Sequence, residues 1–211
     1  MIKSIMATES VMLQKSWPLS AQIGRTWFRW RSFSPVPLFL MLFLLPSDFK
    51  LNATQYSLLV LGVLLAESLR VWAVGYAGST TRTRGDTVQQ LVHAGPYRLV
   101  RNPLYIANVV MYTLCGVIFG FGLLSVFIFL YSSAEYYFIV SFEEQILSRT
   151  FGDDYVKYTE KVPRWIPSFK YSFESSGHTF NLLSALKSEK STFYSMSAMV
   201  LGFFIKAKLL N

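Results

Sequence analysis

Two long apolar runs joined by a very short turn constrain this chain most. They extend from about Leu104 to Phe119 and from about Leu123 to Phe142, and only Gly120-Phe121-Gly122 separates them. Both runs approach the roughly 20 residues that an α-helix needs to cross a bilayer. Because the turn is short and uncharged, the two helices must lie side by side and antiparallel. The sequence therefore predicts a helical hairpin in a membrane.

Three further segments extend this prediction. The runs Phe33–Leu45 and Tyr56–Tyr76 are apolar, and aromatic side chains before the first of them could lengthen it at the membrane interface. A last apolar segment, Phe193–Ile205, is short and diluted by serine. It is predicted to be an interfacial or re-entrant helix, with a short span as the alternative. The predicted fold is an all-α integral membrane bundle of four to five transmembrane helices.

Composition agrees with a membrane protein. Of 211 residues, 52% are hydrophobic and only 15% are charged, whereas soluble domains carry about a quarter charged residues. The net charge of +8 then indicates orientation toward anionic lipid, and no nucleic-acid partner is expected. One cysteine and two histidines predict neither a disulfide framework nor a metal site.

The distribution of Lys and Arg predicts the orientation. Basic residues occupy the N-terminal segment, the loop after Tyr76 and the segment after Phe142, and the opposite side holds only Lys50. By the positive-inside rule, four spans then have both ends in the cytoplasm. The predicted organisation is an N-terminal cytoplasmic or interfacial segment (1–32), a transmembrane core (33–170), and a C-terminal region (171–211). This last region consists of a flexible linker (Tyr171–Lys190) followed by an apolar helix. The membrane would be the inner membrane in a bacterium or the endoplasmic reticulum in a eukaryote.

The hairpin also predicts a site. The start of its first helix carries Asn102, Pro103 and Tyr105, and the end of its second carries Glu143 and Glu144. These two helix ends must lie together at the cytoplasmic face, where water-soluble and lipid-soluble reactants can meet. Carboxylates there could face a cation or accept hydrogen bonds from ribose hydroxyls. The alternative is an ordinary arrangement of headgroup-contacting arginines and a solvated helix end.

Several motifs resemble one family. Gly95-Pro96-Tyr97 followed by Arg101-Asn102-Pro103-Leu104-Tyr105 resembles the G-P-Y…R-H-P-x-Y signature of the isoprenylcysteine carboxyl methyltransferase and phospholipid methyltransferase superfamily. Glu143-Glu144 resembles its E-E pair. The segments Phe151–Tyr158 and Val162–Pro167 resemble its F-G-x-x-Y-x-x-Y…V-P-x-x-x-P tail. The resemblance covers about residues 58–168.

The resemblance implies an integral membrane enzyme that transfers a methyl group from S-adenosylmethionine to a lipophilic small-molecule or lipidated acceptor. It implies a cofactor pocket at the cytoplasmic face, with Glu143 in direct contact, Glu144 as the adjacent acid and Arg101 anchoring the turn. Together these three form the implied catalytic set. The remaining implied cofactor-binding residues are Gln89, Gln90, Leu91, Val92, Tyr97, Asn102, Pro103, Leu104 and Tyr105.

Two departures keep the acceptor open. Asn102 stands where the family usually has His, and Ile139 stands where the prenylcysteine enzymes have an Arg for the substrate carboxylate. Carboxyl O-methylation, phospholipid N-methylation and thiol S-methylation all remain possible. From other classes, an NADPH-dependent membrane reductase and a non-catalytic membrane scaffold remain as alternatives. The oligomeric state is not predicted.

Three ionisable residues fall within the apolar runs. Charges in a bilayer are costly, so such residues are functional candidates. Glu67 and Arg70 stand three residues apart and are predicted to pair on one helix face. Glu135 could point into a substrate cavity or pair with Arg70.

Overall fold

A computed structural model describes residues 17–78, 90–169 and 179–210. Within those ranges the chain is helical and contains no strand. Seven α-helices and one short 3₁₀-helix, Gly95–Arg98, are described. The α-helices are α1 (Leu19–Trp30), α2 (Pro35–Leu44), α3 (Ala53–Ala77), α4 (Pro103–Ile118), α5 (Leu123–Phe151), α6 (Asp153–Lys161) and α7 (Leu182–Leu210).

Helices α3 and α5 are the two described helices that are long and apolar enough to cross a membrane, judged by length and composition. The shorter helices α2 and α4 are also apolar. Large apolar side chains on α3 and α5 point outward, among them Leu65 at 63% exposure and Leu123 at 86%. Exposed apolar surface on this scale suits contact with lipid. The predicted all-α class is confirmed, while the count of four to five spans remains a prediction.

The hairpin has the predicted geometry, with one extension. Helices α4 and α5 pack against each other, and Gly120 makes the turn between them with φ +80°. A Cβ at Gly120 would lie 2.5 Å from the carbonyl oxygen of Phe49, so only glycine fits. Helix α5 continues nine residues past Phe142, to Phe151. Glu143 and Glu144 do not end it, because glutamate is a good helix former. Both carboxylates therefore lie within a regular helix.

Helix α1 packs along α5. At Gly24 a Cβ would lie 1.8 Å from the carbonyl oxygen of Phe138, so the two backbones touch where a side chain is missing. Trp17 and Phe28 pack against Phe142, with ring centroids 5.5 and 5.3 Å away. The described part of the N-terminal segment, from residue 17 onward, thus packs against α5.

Helix α7 corrects the prediction for the C-terminal region. A flexible linker was predicted for 171–190, but residues 182–190 are helical, and residues 170–178 lie outside the described residues. The side-chain oxygen of Asn181 accepts a hydrogen bond from the backbone N–H of Ser184, which caps the helix. Glu189 is buried at 1% exposure against α3. Serine content suggested a linker, but a cap and a buried ion pair give these residues a reason to be helical.

Candidate functional site

One cavity of about 180 Å³ lies where the C-terminal end of α3, the start of α4 and the C-terminal part of α5 meet. It is partly open. Helices α1 and α6 contribute one wall each, and the segment before α4 contributes another. Its lining residues are Phe28, Ala77, Gln90, Leu91, Val92, Tyr97, Arg101, Asn102, Pro103, Leu104, Tyr105, Glu143, Glu144, Ile146, Leu147, Tyr155 and Tyr158.

The wall before α4 is a shaped turn. Gly95 begins the 3₁₀-helix with φ +58°, and a Cβ there would lie 2.2 Å from the ring of Tyr76. Pro96 is buried, and Pro103 is buried at the first position of α4, where the missing N–H costs nothing. Two prolines and a left-handed glycine thus fix the path of the chain around the cavity.

Glu143 is the carboxylate of the cavity with the fewest partners. Its Oε1 accepts a hydrogen bond of 2.8 Å from the phenol of Tyr105. Its Oε2 has no hydrogen-bond partner within the part of the chain that the structure describes. Since a carboxylate can accept several hydrogen bonds, Glu143 keeps capacity for a ligand's hydroxyl groups or positive charge.

Glu144 is instead saturated by arginines. Its Oε1 lies 3.1 Å from both the guanidinium of Arg101 and Nε of Arg164, and its Oε2 pairs with another nitrogen of Arg164. Arg101 also donates to the carbonyl oxygens of Thr159 and Val162 at 3.1 and 3.2 Å. Glu144 and Arg101 therefore hold the segment after α6 against α5. This arrangement suits a positioning role for both residues.

The same segment is tied to the turn before α4 at three more points. The amide of Asn102 donates to the carbonyl oxygen of Arg164 at 3.1 Å. The backbone N–H of Arg101 donates to Pro163 at 2.9 Å, and that of Ser168 donates to Leu99 at 2.9 Å. The turn that lines the cavity is thus held in place by a segment about 60 residues further along the chain.

A buried tyrosine closes the far wall. Tyr158 donates a 2.7 Å hydrogen bond to the carbonyl oxygen of Tyr97 and is 3% exposed. Burial raises the pKa of the Tyr158 phenol well above its usual range, so the phenol keeps its proton and its hydrogen bond at neutral pH.

The structure brings the predicted site residues together. Except for Gln89, which lies outside the described residues, every residue predicted for the site lines the cavity. Their chemical roles remain predictions. The three residues predicted to be catalytic have different contacts. Glu143 can still accept hydrogen bonds from a ligand, whereas Glu144 and Arg101 pair with each other.

Sequence reasoning missed six lining residues. Tyr155 and Tyr158 belong to the quoted tail motif, so their positions were available. Leu147 stands four residues after Glu143, on the same face of α5. Phe28 comes from α1, and no pattern in the sequence linked that helix to the site. Ala77 and Ile146 complete the set.

The ionisable residues within the predicted spans each contact a polar partner. Arg70 Nε lies 3.3 Å from Glu67, which confirms the predicted i, i+3 pair. Glu135 does not pair with Arg70. It accepts a hydrogen bond from Ser34, at the start of α2, and is 3% exposed. Among the described residues, no group of three or more His, Cys, Asp or Glu side chains could hold a metal ion.

Comparisons with known proteins agree with the motifs. Residues 53–154 match the phospholipid methyltransferase family. A nickel-cobalt-cadmium resistance protein, NccN, of Alcaligenes xylosoxydans xylosoxydans is 28% identical over 120 residues, which cover 57% of this chain and 53% of that protein. The chain thus spans about half the length of this relative. No solved structure matches the chain.

Proposed function

We propose that the chain is a membrane enzyme of the phospholipid methyltransferase family, which its residues 53–154 match, and that it transfers a methyl group from S-adenosylmethionine to a lipophilic acceptor. The observation that carries the proposal is the cavity. It gathers the turn before α4 and Glu143 at one end of the α4–α5 hairpin. The family match supports the methyltransferase class, and the cofactor and the acceptor are our proposals.

The residues of the cavity fit S-adenosylmethionine. Glu143 offers an unpartnered carboxylate oxygen for ribose hydroxyls. Aromatic and aliphatic walls from Tyr97, Leu104, Leu147 and Tyr155 suit a flat purine ring. In its ionised form, Glu143 also complements a cationic ligand and would repel the phosphates of NADPH.

Bound S-adenosylmethionine supplies a methyl carbon on a positively charged sulfur. The protein's task is then to align an acceptor within about 3 Å of that carbon and to exclude water. The hydrogen bond from Tyr105 fixes Glu143 for this purpose. The acceptor would enter sideways from the bilayer, and the cofactor would enter from the cytoplasm.

The acceptor chemistry depends on groups outside the cofactor cavity. Ile139, at the position of the prenylcysteine enzymes' arginine, is fully buried and apolar and offers no charge to an acceptor carboxylate. An amine or thiol acceptor is therefore the better match, and either must lose a proton before or during transfer.

The test uses S-adenosylmethionine labelled on its methyl group, incubated with the purified full chain in bilayers that contain a total lipid extract. Label in the lipid phase that resists mild base indicates N- or S-methylation, and label released as methanol indicates a carboxyl ester. Both outcomes support methyl transfer. If no label is transferred and NADPH binds instead, a reductase replaces the proposal. If folded protein binds neither compound, the scaffold replaces it.

A further inference from the structure

A buried carboxylate on α7 reaches into the helices that form the site. Glu189 Oε2 lies 2.8 Å from a terminal nitrogen of Arg70 on α3, and it also accepts a 2.6 Å hydrogen bond from Thr192. Arg70 is 12% exposed at its side chain and Glu189 is 1% exposed. Helix α7 lies outside the residues that match the family, so this contact joins the family core to a segment beyond it.

Arg70 also contacts α4. Its other terminal nitrogen donates to the side-chain oxygen of Asn108. A guanidinium can only donate hydrogen bonds, so it fixes which way the Asn108 amide faces. The amide nitrogen then points to the phenol oxygen of Tyr136 on α5, 3.0 Å away.

Tyr136 connects this network to the cavity. It is 4% exposed, and its phenol oxygen lies 3.4 Å from that of Tyr112. Its ring stacks on the ring of Tyr105, with centroids 4.7 Å apart and an angle of 27° between the planes. Tyr105 in turn donates to Glu143. The contacts therefore run without a break from α7 to the carboxylate that faces the cavity.

We propose that Arg70, Asn108 and Tyr136 are positioning residues that set the Tyr105–Glu143 pair for cofactor binding, and that Glu189 on α7 holds Arg70 in this role. The inference rests on the proposed function. It makes the C-terminal helix part of the binding site, although no residue of that helix lines the cavity.

The same helix provides a matched control. Lys206 is also buried, and its Nζ donates to the carbonyl oxygens of Leu42 and Leu45 at 2.7 and 2.8 Å. It stands 17 residues after Glu189, about 25 Å along the helix. It anchors α7 at the end of the bundle away from the cavity. Loss of either anchor should reduce stability, but only Glu189 should affect the site.

The experiment measures two quantities on the full chain in detergent: the Tm without ligand, and the Kd for S-adenosylmethionine by calorimetry. We expect Glu189→Ala and Lys206→Met both to lower the Tm. Glu189→Ala and Asn108→Ala should raise the Kd about three- to thirtyfold, whereas Lys206→Met should leave it within twofold. Glu189→Gln should restore most of the binding because its side-chain oxygen can still accept from Arg70.

A double-mutant cycle tests the path itself. Tyr136→Phe keeps the stacked ring and removes the hydroxyl that Asn108 contacts. If the network acts through this bond, Asn108→Ala with Tyr136→Phe should bind no more weakly than the weaker single variant. Both variants keep the ion pair of Arg70 with Glu189, so they carry the test even where Glu189→Ala does not fold.

The outcomes separate this inference from the proposed function. Wild-type protein that binds S-adenosylmethionine, with variants of unchanged Kd and lowered Tm, would overturn the positioning role alone. Independent, additive losses of binding at Asn108 and Tyr136 would also overturn it. Folded wild-type protein that binds no S-adenosylmethionine would overturn the proposed function, and this inference with it.

Discussion

The phenol of Tyr105 donates a 2.8 Å hydrogen bond to Oε1 of Glu143, and this bond joins the two helices of the hairpin at the cavity. Tyr105 stands on the first turn of α4, and Glu143 stands in the last third of α5. The bond orients the carboxylate so that its second oxygen is available to a ligand.

Tyr105→Phe should therefore weaken binding of S-adenosylmethionine. A hydrogen bond to a charged group contributes about 1.5–3 kcal/mol, so we expect the Kd to rise roughly ten- to a hundredfold. The ring and its stacking on Tyr136 are kept, but Glu143 loses its hydrogen-bond donor in the ligand-free protein as well, so the Tm should also fall. Calorimetry measures the Kd, and Tyr194→Phe, at a tyrosine that is 74% exposed on α7, is the control. Equal Kd values for the two variants would show that the bond does not orient Glu143.

Glu144→Ala should act mainly on stability. It removes the carboxylate between Arg101 and Arg164 and leaves two partly buried guanidinium groups without their partner. Breaking such a pair from one side costs about 3–5 kcal/mol when it is fully buried, and partial exposure here reduces the cost to about 2 kcal/mol. Thermal unfolding in detergent measures the effect. Glu160→Ala, at an exposed glutamate on α6, should leave the Tm unchanged, and an equal drop in the two variants would contradict the pairing.

Asn102 lies at the position where the family usually has His, and the structure gives it a donor's role toward the carbonyl oxygen of Arg164. Asn102→His should keep a donor nitrogen and near-wild-type stability. Asn102→Asp should lower the Tm, because an ionised carboxylate cannot donate and would face a carbonyl oxygen. The two variants differ by about 1–3 kcal/mol on this reasoning, which paired thermal melts can resolve. A less stable His variant than Asp variant would refute the donor role.

Gly24→Leu should separate α1 from α5. A Cβ at Gly24 would overlap the carbonyl oxygen of Phe138, so the helix must move, and Phe28 would leave the cavity wall. We expect faster tryptic cleavage at Arg25 and Arg29 and a higher Kd for S-adenosylmethionine. Gly122→Ala is the control, because its Cβ meets only Phe49 at 3.8 Å. Equal cleavage of the two variants would contradict the close packing of α1.

Much of the fold was predictable because long apolar helices leave a direct trace in sequence. The apolar runs gave α3 and α4 to within a few residues, and the short turn at Gly120 predicted the hairpin. The end of α5 was less predictable. Charged residues at Glu143 and Glu144 look like the end of a span, but they do not end a helix, since glutamate is a good helix former.

The site residues that the hairpin brings together could be predicted from the sequence. The contacts made by segments outside the hairpin could not. The hairpin alone placed Tyr105 near Glu143. The partners of Glu144 required the path of the segment after α6, which no periodicity in the sequence reveals. Likewise, Gly24 and Glu189 acquire their meaning from backbone approach and burial. The sequence shows Gly24 only as a glycine in an amphipathic segment, which does not reveal a close approach of two backbones. It shows Glu189 only as a glutamate in a serine-rich segment, which does not reveal burial.

The most direct test of the central claim is calorimetric titration of S-adenosylmethionine into the detergent-purified full chain, with Glu143→Gln and Glu160→Gln compared side by side. Both substitutions replace one carboxyl group with an amide, but of the two residues only Glu143 lines the cavity. We expect micromolar binding to wild-type protein and to Glu160→Gln, and a Kd at least about tenfold higher for Glu143→Gln. Absence of binding to folded wild-type protein, or equal binding by Glu143→Gln and wild type, would contradict the central claim.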